Sequence, residues 1–368
     1  IRPSARLFDP ADGPLSVEAV VYYDAQVARP EHAKLRWRII RAGGGSGADR
    51  EEPLISLPAR SSQAVADLKE GDHLIRAEIV VDGKVLARHE HIISAVPRLQ
   101  DRLRALRAAA VGTASTTARL TLKSLSTRLS GLAGGEDYET GVPAARLLLE
   151  AEALARGSEH YYGPKRPGQF WLSLPAGQGA AAVRLFVPKG LSANKPVPLV
   201  VALHGAGCTE NYFFDGYGRG ATVRFCKERG WLMVATRAGG FGQAPPVADV
   251  VDELARLYPV DRKRVYLVGH SMGATHAVEV AQTSPGRFAA IAALGGGGIV
   301  RRPEVLRGLP VFVGVGSEDF ALGWARGLAK SLSDAGAAVT SKEYADVEHV
   351  MVVQEALKEV FAFFEKCR

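Results

Sequence analysis

The chain has 368 residues, of which 47% are hydrophobic, and it carries a formal charge of +7; these values exclude a disordered polypeptide and leave room for two domains. Its arginines and lysines are scattered instead of gathered into a basic block with interleaved aromatics, so nucleic acid is not an expected partner. No run approaches the roughly 18 consecutive apolar residues that span a bilayer, so no membrane span is expected either.

The chain opens at Ile1, without a methionine and without a signal peptide. The expectation is a processed or trimmed form, secreted or periplasmic in preference to cytoplasmic. Residues 1–95 alternate apolar and polar side chains with period two in "LSVEAVVYYD", "KLRWRIIRA" and "HLIRAEIVVDGKVLARHEHIIS". Asp82-Gly83 between two such runs marks a hairpin. This block predicts a small β-sandwich, immunoglobulin-like in layout but without the Cys…Trp…Cys spacing of antibody domains, with Trp37 in its core.

From 96 to 167 the period lengthens. Leu99, Leu103 and Leu106, then Leu122, Leu125, Leu129 and Leu132, then Leu147, Leu148 and Leu154 recur at helical steps, which predicts a helical connector.

From 168 to 368 strand, loop and helix repeat. "VPLVVALHG", "WLMVATRAG", "RVYLVGHS", "AAIAALGGG" and "LPVFVGVGSED" are nearly continuous apolar runs, as in strands buried on both faces. Helical windows lie between them, so this part is α/β, a mostly parallel sheet with helices on both faces. Cys208, Cys226 and Cys367 are too few for a disulfide scaffold and lack metal-site spacing, so no metal is expected; a Cys208–Cys226 bridge and two buried thiols both stay open.

Within "YLVGHSMGATHA", Gly269-His270-Ser271-Met272-Gly273 matches G-x-S-x-G. A serine between glycines can be a simple helix cap. Here a buried strand precedes it and a small-residue helix follows, the setting of a strained turn that lifts a nucleophilic hydroxyl above a sheet. Such a serine needs a base and an acid, which in this arrangement follow in the order acid, histidine. Of the two downstream histidines, His276 falls inside the same helix and is expected to point away from the catalytic face, and His270 and His276 are given no role. His349, in "YADVEHVMV", is the base. Asp319, at the end of "PVFVGVGSED", is the acid, with Glu318 as its main rival and Asp346 and Glu348 behind. An oxyanion hole is expected from the N–H groups of Met272 and Ala206, with Gly205 close to Ala206 in rank. His204 is expected to orient its loop. His204, Gly205, Tyr212 and Phe241 are further candidates for substrate contact, with Phe213, Phe214 and Tyr217 nearby.

With these elements in order, residues 168–368 resemble the α/β-hydrolase superfamily, and "LHGAGCTEN", "GHSMGA" and the final "EH" resemble its feruloyl esterase, acetylxylan esterase and polyhydroxybutyrate depolymerase group. The resemblance implies a serine esterase with a covalent acyl-enzyme and no cofactor, acting on small esters or on feruloyl or acetyl esters of plant polysaccharide. It also implies an N-terminal domain that packs beside the active site or mediates homo-oligomer assembly. A prolyl-oligopeptidase-like peptidase, a polyester depolymerase and a degenerate hydrolase used for binding are the alternatives. The first normally needs a β-propeller that 95 residues cannot build.

Overall fold

The computed structural model describes residues 1–21, 31–42, 44–45, 49–54, 59–136, 141–157, 161–238 and 244–367. Phe241 lies outside them. The chain divides into two units, Ile1–Thr113 with Leu122–Arg156, and Ala114–Thr121 with Gly157–Arg368.

The first unit opens with β1 (Arg2–Pro3), β2 (Leu7–Phe8), β3 (Leu15–Val21), β4 (Lys34–Ile40), β5 (Arg50–Pro53), β6 (Ala59–Val65), β7 (Gly71–Val81) and β8 (Lys84–Ala95). They form two sheets, ordered β1-β3-β6 and β2-β8-β7-β4-β5. Period-two alternation turns Leu15, Val17, Ala19 and Val21 of the first sheet inward, into one core with Leu35, Trp37, Ile75 and Ile93 of the second. Trp37 is buried there, and its indole N–H donates to Glu52 Oε1 and Ser61 Oγ. The β7–β8 hairpin turns on Asp82 (φ 48°) and Gly83 (φ 78°), the positive-φ pair that its Asp-Gly sequence favours. Helices α1 (Leu99–Gly112), α2 (Thr116–Ala133) and α3 (Ala144–Arg156) follow, and every leucine of the helical stripes named above is buried. Asp72 caps α3 by accepting the N–H groups of Ala145 and Arg146 at 2.9 and 3.1 Å.

The second unit comprises β9 (Gly168–Ala176), β10 (Gly179–Val187), β11 (Val197–Leu203), α4 (Ala221–Arg229), β12 (Leu232–Thr236), α5 (Val247–Leu257), β13 (Val260–His270), α6 (Met272–Thr283), β14 (Ala290–Leu294), β15 (Pro310–Gly316), α7 (Leu322–Asp334), β16 (Ala338–Tyr344) and α8 (Met351–Lys366). The sheet order is β16-β15-β14-β13-β11-β12-β10-β9; β9 and β10 are antiparallel additions to an otherwise parallel sheet. This is the α/β-hydrolase fold. Strands such as β12 and β14 are buried along their whole length because both faces are covered. Val250, Leu254, Val278 and Leu328 of α5, α6 and α7 pack in the core on one face; Cys226, Phe361 and Phe364 of α4 and α8 pack in the core on the other. All three cysteines are free thiols, so no Cys208–Cys226 bridge forms. Among the described residues no helix is long and apolar enough to cross a membrane.

Candidate active site

In open α/β sheets, sites collect beyond the carboxyl ends of the parallel strands, and the residues expected to do chemistry sit there. β13 ends at His270 and α6 begins at Met272, leaving Ser271 alone to make the turn. Its backbone adopts φ 54°, ψ −118°, a conformation that costs a non-glycine residue on the order of 1–3 kcal/mol. The turn is held from below by the Ser271 N–H, which donates to Leu294 O of β14 at 2.9 Å. It also needs small neighbours. A Cβ on Gly269 would lie 2.0 Å from Gly273 O, and one on Gly273 would lie 1.9 Å from Leu203 O of β11. The two glycines on either side of Ser271 are therefore a steric requirement of this crossing.

β15 delivers Asp319, and the turn between β16 and α8 delivers His349. His349 Nδ1 lies 2.8 Å from Asp319 Oδ1, which also accepts the Ala321 N–H at 2.7 Å. The Asp319 side chain is completely buried and the His349 side chain is 16% exposed, so the imidazole is oriented from a dry side and open on the other. The rival acids have other settings. Glu348 accepts the N–H groups of Val350 and Met351 and caps α8; Glu318 is exposed, and the Asp346 N–H donates to Ser317 Oγ.

Ser271 and His349 line one cleft of about 730 Å³ together with Gly205, Ala206, Met272, Tyr212 and Tyr217. His204 is not among the lining residues. It is buried, its Nδ1 lies 2.8 Å from Gly205 O, and its Nε2 accepts the Ala238 N–H at 3.0 Å, so it fixes the shape of the loop that presents Gly205 and Ala206. Phe213 and Phe214 are buried in the core. Arg184 lies 4.1 Å from the Trp171 ring centre and 4.5 Å from that of Phe214, and it pairs with Asp215, which anchors the segment carrying Tyr212.

Two histidines differ from the sequence expectation. His276 does not point away: it is buried and lines the cleft, because the cleft runs along α6 past its first turn to Thr275, His276 and Glu279. Burial pushes its pKa down, which favours the neutral imidazole. His270 is buried beside the base and makes hydrogen bonds through both ring nitrogens. Sequence reasoning also missed the rim. Phe320 and Trp324 line the cleft while remaining 70% and 64% exposed, and Ile299, at 62%, joins them from the loop after β14. The signal was present, since Phe320 directly follows the acid.

The dienelactone hydrolase family matches residues 236–360. The chain is 26% identical over 157 residues to the bifunctional acetylxylan esterase/xylanase XynS20E of Neocallimastix patriciarum, covering 40% of this chain and 23% of that protein. It is 34% identical over 128 residues to poly(3-hydroxyalkanoate) depolymerase C of Paucimonas lemoignei, covering 30% of each. The chain thus spans less than a third of these curated relatives' length. Among solved structures, a thermostable esterase is similar over 96% of this chain and 95% of its own, at 17% identity and a TM-score of 0.49.

Proposed function

We propose that this chain is a serine carboxylic ester hydrolase in which Ser271, His349 and Asp319 act as a triad. The observation that carries the reading is one cleft lined by a serine at positive φ and by a histidine whose far nitrogen bonds a buried carboxylate. The matches to an acetylxylan esterase and a polyester depolymerase support the same chemistry.

In this mechanism Ser271 Oγ attacks the ester carbonyl while His349 Nε2 takes its proton. Asp319 holds the imidazole through Nδ1 and stabilises the imidazolium that forms. The Met272 and Ala206 N–H groups receive the oxyanion, each contributing about 3–4 kcal/mol if they match the donor measured in a well-studied protease. His349 returns the proton to the leaving alcohol, and a water activated by the same base releases the acid. The exposed Phe320 and Trp324 rings, in edge-to-face contact at 6.0 Å between centres, offer a platform for an apolar or aromatic acyl group such as ferulate.

The test is Ser271→Ala with p-nitrophenyl ester substrates. The variant should keep its melting temperature and lose turnover by roughly a million-fold, as removal of a nucleophilic serine does in subtilisin; near-normal turnover would sink the assignment.

A second reading, attack on a solid polyester, is favoured by the same rim. Val350 lines the cleft with Phe320, Trp324 and Ile299 and is likewise exposed, and apolar surface around a cleft suits contact with an apolar solid. A panel of acetate esters, methyl ferulate, acetylated xylan and a polyester film separates the two readings. Selective film hydrolysis favours the second.

A further inference from the structure

His270 joins two segments that the chemistry must keep in register. It ends β13, is 3% exposed, and stands directly before Ser271. Its Nε2 lies 2.9 Å from the backbone carbonyl of His349, and its Nδ1 lies 2.5 Å from the Tyr217 hydroxyl. A carbonyl only accepts, so Nε2 must carry the hydrogen. Nδ1 is then bare and accepts from Tyr217. The hydrogen-bond partners alone fix this tautomer. Tyr217 is buried and packs edge-to-face on Tyr212, Phe213 and the His270 ring itself, so its hydroxyl is held in place.

His349 is thereby held twice. Asp319 holds its ring, and His270 holds its backbone. The turn carrying His349 is also held before it, where the Glu318 N–H donates to Val347 O at 3.1 Å, and after it, where Glu348 accepts the Val350 and Met351 N–H groups at the start of α8. Burial, and next the neighbouring His349, push the His270 pKa down to about 4, so the ring stays neutral while the imidazolium forms 4.6 Å away between ring centres. Asp319 and Glu348 are the acidic groups that face it, and they pull in the opposite direction. A second cation at that distance would oppose the proton transfer.

We infer that His270, oriented by Tyr217, is a positioning residue that sets the backbone of the catalytic base relative to Ser271. This assignment rests on the triad reading, and its test is separable from that of the triad. His270→Phe removes the donor to His349, Tyr217→Phe removes only the orienting hydroxyl, and His270→Gln supplies a new amide N–H toward the His349 carbonyl. In His270→Phe, kcat for a p-nitrophenyl ester should fall ten- to hundred-fold with KM within two-fold. The acid limb of kcat/KM against pH should move to lower pH, because a misaligned Asp319 stabilises the imidazolium less. His270→Gln should recover most of kcat, and Tyr217→Phe should lose a few-fold.

Fluorophosphonate labelling of Ser271 should slow in His270→Phe but still occur. A Ser271→Ala variant that stays active would instead defeat the triad itself. Normal kcat in His270→Phe overturns the inference. So does a loss that leaves the acid limb in place and is not recovered by His270→Gln. Should His270→Phe fail to fold, Tyr217→Phe decides: unchanged kcat and pH profile overturn the inference, and a loss with a shifted limb supports it.

Discussion

Phe320 packs against the ring of the proposed base. Its ring centre is 4.1 Å from that of His349 and 6.0 Å from that of Trp324, yet it remains largely exposed. A phenylalanine left in water beside an imidazole contributes little to folding, since exposed apolar area gains nothing from burial. Its surface becomes useful when a ligand covers it. Stacking of this kind adds about 0.5–1.5 kcal/mol beyond area burial. Replacing Phe320 and Trp324 together by alanine should therefore lower kcat/KM for methyl ferulate by roughly ten-fold or more, with p-nitrophenyl acetate changed by less than three-fold. An equal loss on both substrates would mean that the rings serve His349 and not the acyl group. The residue scale is also where sequence legibility was uneven. Ser271, Asp319 and His349 could be proposed from the sequence because a strand end and a chain order constrain them. His270 could not, since an apolar strand ending in histidine has the same pattern whether its ring meets core or a backbone carbonyl. His276 departs from the expectation because the cleft extends a turn further along α6 than the serine alone marks.

At the scale of elements, the crossing of β11, β13 and α6 carries the tightest steric demand near the site. A methyl on Gly273 would meet the Leu203 carbonyl, which is backbone in a central strand and cannot rotate aside. Gly273→Ala should lower the melting temperature by roughly 6–12 °C, equivalent to about 3 kcal/mol for a domain of this size. Gly327, exposed in α7 with nothing within 4 Å of an added Cβ, gives the contrast. Gly327→Ala should leave stability unchanged or raise it by about 0.5–1 kcal/mol through helix propensity. Calorimetry on both variants checks the pair, and comparable losses would refute the packing argument. The same contrast explains what was legible at this scale. Parallel strands are long apolar runs and were plain in the sequence. The short β1 and β2 pairings were not, because their hydrogen bonds depend on distant partners, and the turns at Tyr212–Gly216 and Tyr217–Arg219 were not, because they are too short to carry a helical period.

At the scale of the whole molecule, each unit buries one histidine whose pKa is far below its ordinary value. In the first, His91 is 7% exposed, and burial followed by repulsion from Arg6 pushes it down to about 4. In the second, His270 is pushed to about the same value by burial and then by His349. Between pH 6.5 and 4 the unfolded chain protonates these rings and the folded chain does not, so folding stability falls as pH falls through that window. Above pH 6.5 neither state binds the proton and the effect vanishes; below 4 both bind it and the loss is complete. Each histidine accounts for a loss of about 3 kcal/mol, the free-energy equivalent of lowering its pKa from 6.5 to about 4. Carboxylates begin to titrate only below about pH 5, so the interval from 6.5 to 5 isolates the histidines. Calorimetric scans should show transitions that hold steady from pH 8 to 7 and move down from 6.5 to 5. His91→Gln should flatten the slope of the first unit's transition while leaving that of the second. Transitions that stay put between pH 7 and 5 would mean that both rings find their proton without unfolding, and that neither burial governs the acid stability of its unit.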